Sequence, residues 1–135
     1  MYRNILVPIS LDVDRDGPQA LALAELLADE GAQITLLHVF EHIPAYVESY
    51  LPEDYLTSRH HEITEELSGM IRDHPTAELQ VTTGHPARAI LDWAATHGTD
   101  CIVIASHRPG MQDLLLGSTA AKVVRHARCA VHVLR

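Results

Sequence analysis

Between Ile104 and Ala127 the sequence reads IASHRPGMQDLLLGSTAAKVVRHA, a strand-like end, an irregular join and a helix-like run. The join gathers groups able to hold an anion. Gly117 lacks a Cβ, so it can take a positive φ or let another group approach its backbone closely. Ser118 brings a hydroxyl and an N–H to a helix start, where unpaired N–H groups and the macrodipole favour negative charge. Arg108 adds a forked, charged donor. Together these residues would make a phosphate site. A Gly-Ser pair also serves simply to turn the chain, with Ser118 capping the helix, and the residues alone leave both readings open.

The charge is unevenly spread. Overall it is −8, which argues against general binding to nucleic acid or an anionic membrane. From Ala105 to Arg135, however, Arg108, Lys122, Arg125, Arg128 and Arg135 face one acid, Asp113, so this segment carries +4 and the first 104 residues −12. The basic segment is either a solvated helix face or the place where a small anion is received.

Other chemistries fit less well. A P-loop needs a glycine-framed lysine before Ser or Thr, but the only lysine is Lys122 and no glycine precedes it. A phospho-acceptor receiver would use Asp12 and Asp14 as its acidic pair, but ELQVTTGHP supplies no aspartate at the end of the third strand. Ten histidines invite a metal, yet no pair has i, i+4 spacing on a helix, and His60 and His61 point to different faces. His38 and His132 lie within strands and read as packed or half-buried. Ser106 and His107 are neighbours at a strand end, so they point apart, a poor arrangement for a nucleophile and its base. The two cysteines, Cys101 and Cys129, form no C-x-x-C and read as reduced, packed thiols.

These groups must be positioned by a regular alternation of elements. The chain of 135 residues is about one domain, residues 1–135, with no linker, repeat or low-complexity segment. NILVPI (Asn4–Ile9) reads as the first strand, and a helix follows with Pro18 at its first position and Leu21, Ala24, Leu27 and Ala28 at helical spacing. AQITLLHVF (Ala32–Phe40) is the second strand. A proline-bearing connection leads to a helix with the stripe Leu56, His60, Ile63, Leu67, Met70 and Ile71. ELQVTT is the third strand, and ARAILDWAATHG is a helix closed by Gly98. CIVIA and AVHVL are the fourth and fifth strands, with Ala120, Val123, Val124 and Ala127 on the buried side of the helix between them. Apolar strands alternating with helices predict an α/β fold: a parallel sheet with helices on both faces, a three-layer α/β/α arrangement. Ligands then bind at the carboxyl ends of the strands, where Ser10–Asp16 and Ser106–Gly117 must meet. The sequence begins without signal-peptide character and has no run approaching the ~20 apolar residues of a membrane helix, so a cytoplasmic location is expected.

NILVPI, GHPARAILDWA and IVIASHRPGMQDLLLGSTAAKVVRHARCAVHVLR resemble the universal stress protein family, above all its small enterobacterial type with SHRP in this loop. The resemblance implies a five-stranded parallel sheet of order 3-2-1-4-5, an adenine nucleotide alpha hydrolase-like fold, and ATP as ligand, with Mg2+ or Mn2+. The family motif is Gly, two residues, Gly, nine residues, Gly, then Ser or Thr. Here Gly117 and Ser118 keep its end and Thr119 follows. Ala105 stands at the first glycine and Arg108 at the second, and eight residues separate Arg108 from Gly117. The guanidinium of Arg108 would meet phosphate where glycine offers open backbone, with His107 beside it and Gly110 restoring flexibility. The family's acidic residue after the first strand is Ser10 here, with Asp12 as a substitute contact or a turn former. The resemblance further implies Pro8, Val39 and Ile104 as walls for adenine. It also implies a homodimer through the edge strand Ala130–Leu134, which is open unless something pairs with it. With no catalytic constellation, any ATP hydrolysis is expected to be slow. Two functions follow: an ATP-binding stress or regulatory protein, or a nucleotide-free dimeric interaction protein of the same fold.

Overall fold

A computed structural model of the chain describes residues 1–10, 16–106 and 116–135. Its strands are β1 (Tyr2–Ile9), β2 (Ala28–Phe40), β3 (Ala77–Thr83), β4 (Cys101–Ala105) and β5 (Ala130–Leu134), and its helices are α1 (Asp16–Leu27), α2 (Ala45–Glu48), α3 (Tyr55–Met70), α4 (Pro86–Thr96) and α5 (Ser118–His126). The strands form one parallel sheet of order β3-β2-β1-β4-β5, as expected.

Strand alternation divides the core between the two faces of the sheet. Ile5, Val7, Ile34, Leu36, Cys101 and Val103 meet Ala20, Leu21 and Ala24 of α1 and Ile63 and Leu67 of α3. Leu6, Leu37, Ile102 and Ile104 meet Ala87, Ile90 and Ala94 of α4 and Ala120 and Val123 of α5. Residues of β1, β2 and β4 supply both clusters, so these strands are covered on both sides.

At the amino end of the sheet, Asp100 ties β1 to the entry of β4. Its carboxylate accepts from the backbone N–H of Arg3 (2.9 Å) and Asn4 (3.0 Å), and its own N–H donates to the Asn4 carbonyl (2.9 Å). The Asn4 side-chain amide donates to the His97 carbonyl at 2.7 Å. His97 is the last link of α4, whose end is a Schellman turn. Gly98 has φ 67, and the Thr99 N–H reaches back to the Ala94 carbonyl at 3.0 Å. This is the stop expected at Gly98.

Several boundaries differ from expectation. β2 begins at Ala28, four residues early, because Ala28 pairs with the start of β1 ahead of a break in register: Tyr2 opposes Ala28 and Asn4 opposes Gln33. Gly31, at φ 78, takes up the distortion. α1 begins at Asp16, which makes Pro18 its third residue; the missing N–H is still among the first-turn groups that have no helical acceptor. The connection after β2 contains the short helix α2. On α5, Val124 is 42% exposed while Val123 is fully buried, since one residue's rotation carries Val124 off the stripe.

The cysteines are free thiols on opposite faces. Cys101 belongs to the cluster under α1 and α3, and Cys129 packs against the cluster under α4 and α5. Burial pushes the Cys101 thiol up to about 11, with the neighbouring Cys129 and Asp100 adding to the effect. Burial also raises Cys129. Among the described residues, no helix is long and apolar enough to cross a membrane.

Candidate functional site

The chain winds from β1 through β2 to β3 in one direction, then crosses to β4 and β5 in the other. Sheets wound this way receive ligands at the carboxyl ends of the strands beside the reversal, here β1 and β4. Three of the sequence-selected residues share one face of the sheet there. Ile104 belongs to the cluster under α4 and α5, Val39 packs against that cluster, and Pro8 lies two residues beyond Leu6, which faces the same way. Pro8 and Val39 are half-buried and Ile104 is 5% exposed, so they form an apolar wall with an accessible rim. Ser10 is exposed just past β1, and Ala105 closes β4 half-buried. Asp12, His107, Arg108 and Gly110 lie outside the described residues.

The other wall is the start of α5, fixed by a backbone clasp. The Gly117 N–H donates to the Ser106 carbonyl at 2.5 Å, and the Ser106 N–H donates to the Leu134 carbonyl at 2.7 Å. Ser106 itself is 3% exposed. Two hydrogen bonds thus run from the end of β5 through the end of β4 to the helix.

The clasp corrects two expectations. Gly117 has φ −59 and ψ 156, ordinary extended backbone, so left-handed freedom is not what glycine supplies here. Gly117 is also the N-cap, its carbonyl accepting from Ala121 at 2.8 Å. Ser118 is the first helical residue. Its side chain makes no capping bond and is exposed, with Thr119 half-buried beside it. The Gly117 N–H is spent on the clasp, whereas Ser118, Thr119 and Ala120 occupy first-turn positions whose N–H groups have no acceptor within the helix. Arg125 and His126 fill the last turn, where the dipole favours cations.

The histidines divide between structure and surface. His38 is 8% exposed and its Nδ1–H donates to the Ile9 carbonyl at 2.9 Å, holding β1 to β2 just before Ser10. His132 is exposed, contrary to the packed or half-buried position expected of it. Among the described residues, no three His, Cys, Asp or Glu side chains converge on a metal position.

A shallow concavity of about 300 Å³, missed in the sequence, lies at the carboxyl ends of β2 and β3 and is lined by Phe40, His60, His61, Thr64 and Val81–Thr83. Phe40 stacks on His60 (centroids 3.9 Å apart, 23° between planes) and takes the edge of His38 at 4.7 Å. Phe40 packs against the cluster under α1 and α3, so this hollow is on the face opposite Val39. The signal was the pairing of His38 and Phe40 two apart on one strand with His60 on the α3 stripe.

The sequence pattern of the universal stress protein family matches residues 1–135. The chain belongs to that family. It is 36% identical over 142 residues to universal stress protein A homolog 2 of Coxiella burnetii, covering 99% of this chain and 95% of the relative. It is 31% identical over 147 residues to universal stress protein G of Escherichia coli O157:H7, with both chains fully covered. Among solved structures, hypothetical protein MJ0577 has the same fold, with a TM-score of 0.83, 23% identity, and coverage of 99% of this chain and 96% of the other. Two universal stress protein structures hold adenine nucleotides: one in complex with cAMP (TM-score 0.65, 18% identity, 99% and 97% coverage) and one from Archaeoglobus fulgidus in complex with dAMP (TM-score 0.63, 18% identity, 99% and 98% coverage).

Proposed function

We propose that this universal stress protein binds ATP in the crevice between β1 and β4 and works as a homodimer joined through β5. The observation that carries the reading is the pairing of an apolar wall (Pro8, Val39, Ile104) with a helix start held in place by the Ser106–Gly117 clasp. Adenine would lie on the wall. Phosphates would take the first-turn N–H groups of α5 and the exposed Ser118 hydroxyl. Arg108 would close over them in place of a glycine. The two solved family members carrying cAMP and dAMP support an adenine nucleotide as the ligand class. Among the described residues of the crevice none is placed as a base for water, so occupancy is the expected output, with any turnover well below roughly one per second.

Calorimetry with ATP and adenosine tests the reading. Gly117→Val should keep the fold, because φ −59 and ψ 156 suit valine, yet block ATP with its side chain. Ser118→Ala should weaken ATP roughly ten- to a hundredfold, the loss of one charge-assisted hydrogen bond of about 1.5–3 kcal/mol. No detectable ATP binding by the wild type, with or without magnesium, overturns it. One observation favours the rival function, a nucleotide-free interaction dimer: the Gly117 N–H already has an acceptor, as a purely structural turn requires. Both readings share the dimer, for which light scattering should show two copies and Val131→Pro a shift to one.

A further inference from the structure

We infer that the anion site is shared between protomers: Arg128 of one copy reaches the phosphate cradle of the other. The inference rests on the proposed ATP-binding dimer and says how that dimer completes its site. Arg128 is exposed in the short connection between α5 and β5, at the amino end of the edge strand. None of the ion pairs among the described residues, Met1 to Asp29, Arg59 to Glu62 and His74 to Glu25, takes Lys122, Arg125 or Arg128. In a chain of charge −8, three cations left without a carboxylate partner on one stretch are an arrangement suited to an external anion.

The route follows from symmetry. A two-fold axis that brings the open edge of β5 against itself makes the two strands antiparallel, so the amino end of one lies beside the carboxyl end of the other. Pairing all five residues centres on His132 and sets Ala130 opposite the partner's Leu134. Arg128, two residues earlier, then lies just past the end of the partner's strand. A shift of one residue in the centre toward Val131 brings it opposite the partner's Leu134, so the placement does not depend on a single register. In each copy the Leu134 carbonyl holds the Ser106 N–H, and the Ser106 carbonyl holds the Gly117 N–H. Arg128 therefore faces the partner's clasp across about two strand spacings, roughly 10 Å. Much of that distance is spanned by the long arginine side chain, and its fork suits a phosphate oxygen pair.

Sharing has a thermodynamic consequence. A ligand held by both copies binds the dimer better than the monomer, so ATP must tighten dimerisation, and dimerisation must tighten ATP by the same factor. Adenosine, which lacks phosphate, should do neither.

The test uses two variants of the full chain. Arg128→Ala keeps the cradle and removes the reaching cation. Ser118→Asp keeps Arg128 and places a negative charge in the cradle, where a helix start tolerates it. Each alone should bind ATP at least tenfold more weakly than the wild type, and Arg128→Ala should leave adenosine affinity unchanged. Mixing the two and allowing subunits to exchange should restore wild-type-like ATP sites, one to each mixed dimer. Mixed dimers that recover no tight site, with Arg128→Ala alone still weak, would place the arginine in its own protomer's site and overturn sharing. Unchanged ATP affinity in Arg128→Ala, with a wild type that binds, would overturn any role for it. A wild type that fails to bind ATP removes the underlying nucleotide reading instead.

Discussion

Asp100 does the work of several residues at the end of the sheet away from the crevice. Its carboxylate accepts two backbone N–H groups from β1, and its own N–H donates to the same strand. Asp100→Ala leaves those donors to solvent and should cost about 1–3 kcal/mol in urea unfolding, with ATP affinity unaffected because the crevice is at the opposite end. Asp100→Asn keeps one acceptor and should fall between. Cys101 sets an alkaline limit. Its folded thiol ionises near 11, against an ordinary value of 9.0, so the folded state holds the proton more tightly than the unfolded chain. The stabilisation is complete below about pH 9 and is lost as pH rises toward 11. Unfolding at pH 8 and 10.5 should show that decline, and Cys101→Ala should flatten most of it, leaving the smaller slope from Cys129. Because the two thiols sit on opposite faces, no disulfide should join them in the folded protein.

Elements were legible where a single physical requirement dominated. β4 and β5 coincide with CIVIA and AVHVL because a short apolar run between turn formers has few other uses. The end of α4 was legible because a glycine after a helical stripe supplies the left-handed residue that other side chains resist. Gly98→Ala should therefore cost about 1–2 kcal/mol, read as a lowered urea midpoint, despite alanine's better helix propensity. The early start of β2 was hidden because ADEG has no apolar alternation; Ala28 pairs with β1, and Asp29 meets the Met1 amino group. Val124 was misplaced because a nine-residue helix buries a narrow stripe, here Ala120 and Val123. Of the candidate site, the apolar wall was visible as strand ends, since alternation determines which side chains share a face. The clasp was not, because a backbone hydrogen bond leaves no mark in residue type. Of the two uses of glycine open at Gly117, a positive φ is not the one it takes; its backbone instead lies close to that of Ser106.

At the scale of the whole molecule, the clasp, the basic helix and the open edge strand all lie within Ala105–Arg135, whose +4 offsets an otherwise acidic surface. The Ser106–Gly117 clasp should let the residues between its two positions change without disturbing the rest. Ten residues lie between the two clasp positions, and the sheet and α5 are anchored on either side of them. For a segment of this size, adding a residue alters the entropy of closure by only roughly 0.1 kcal/mol. Inserting a glycine between Arg108 and Gly117, which restores the family's nine-residue spacing, should leave the urea midpoint where it is while changing ATP affinity. On that outcome the enclosed stretch would be an exchangeable cassette, whose length and chemistry set ligand preference on a scaffold that does not register the substitution.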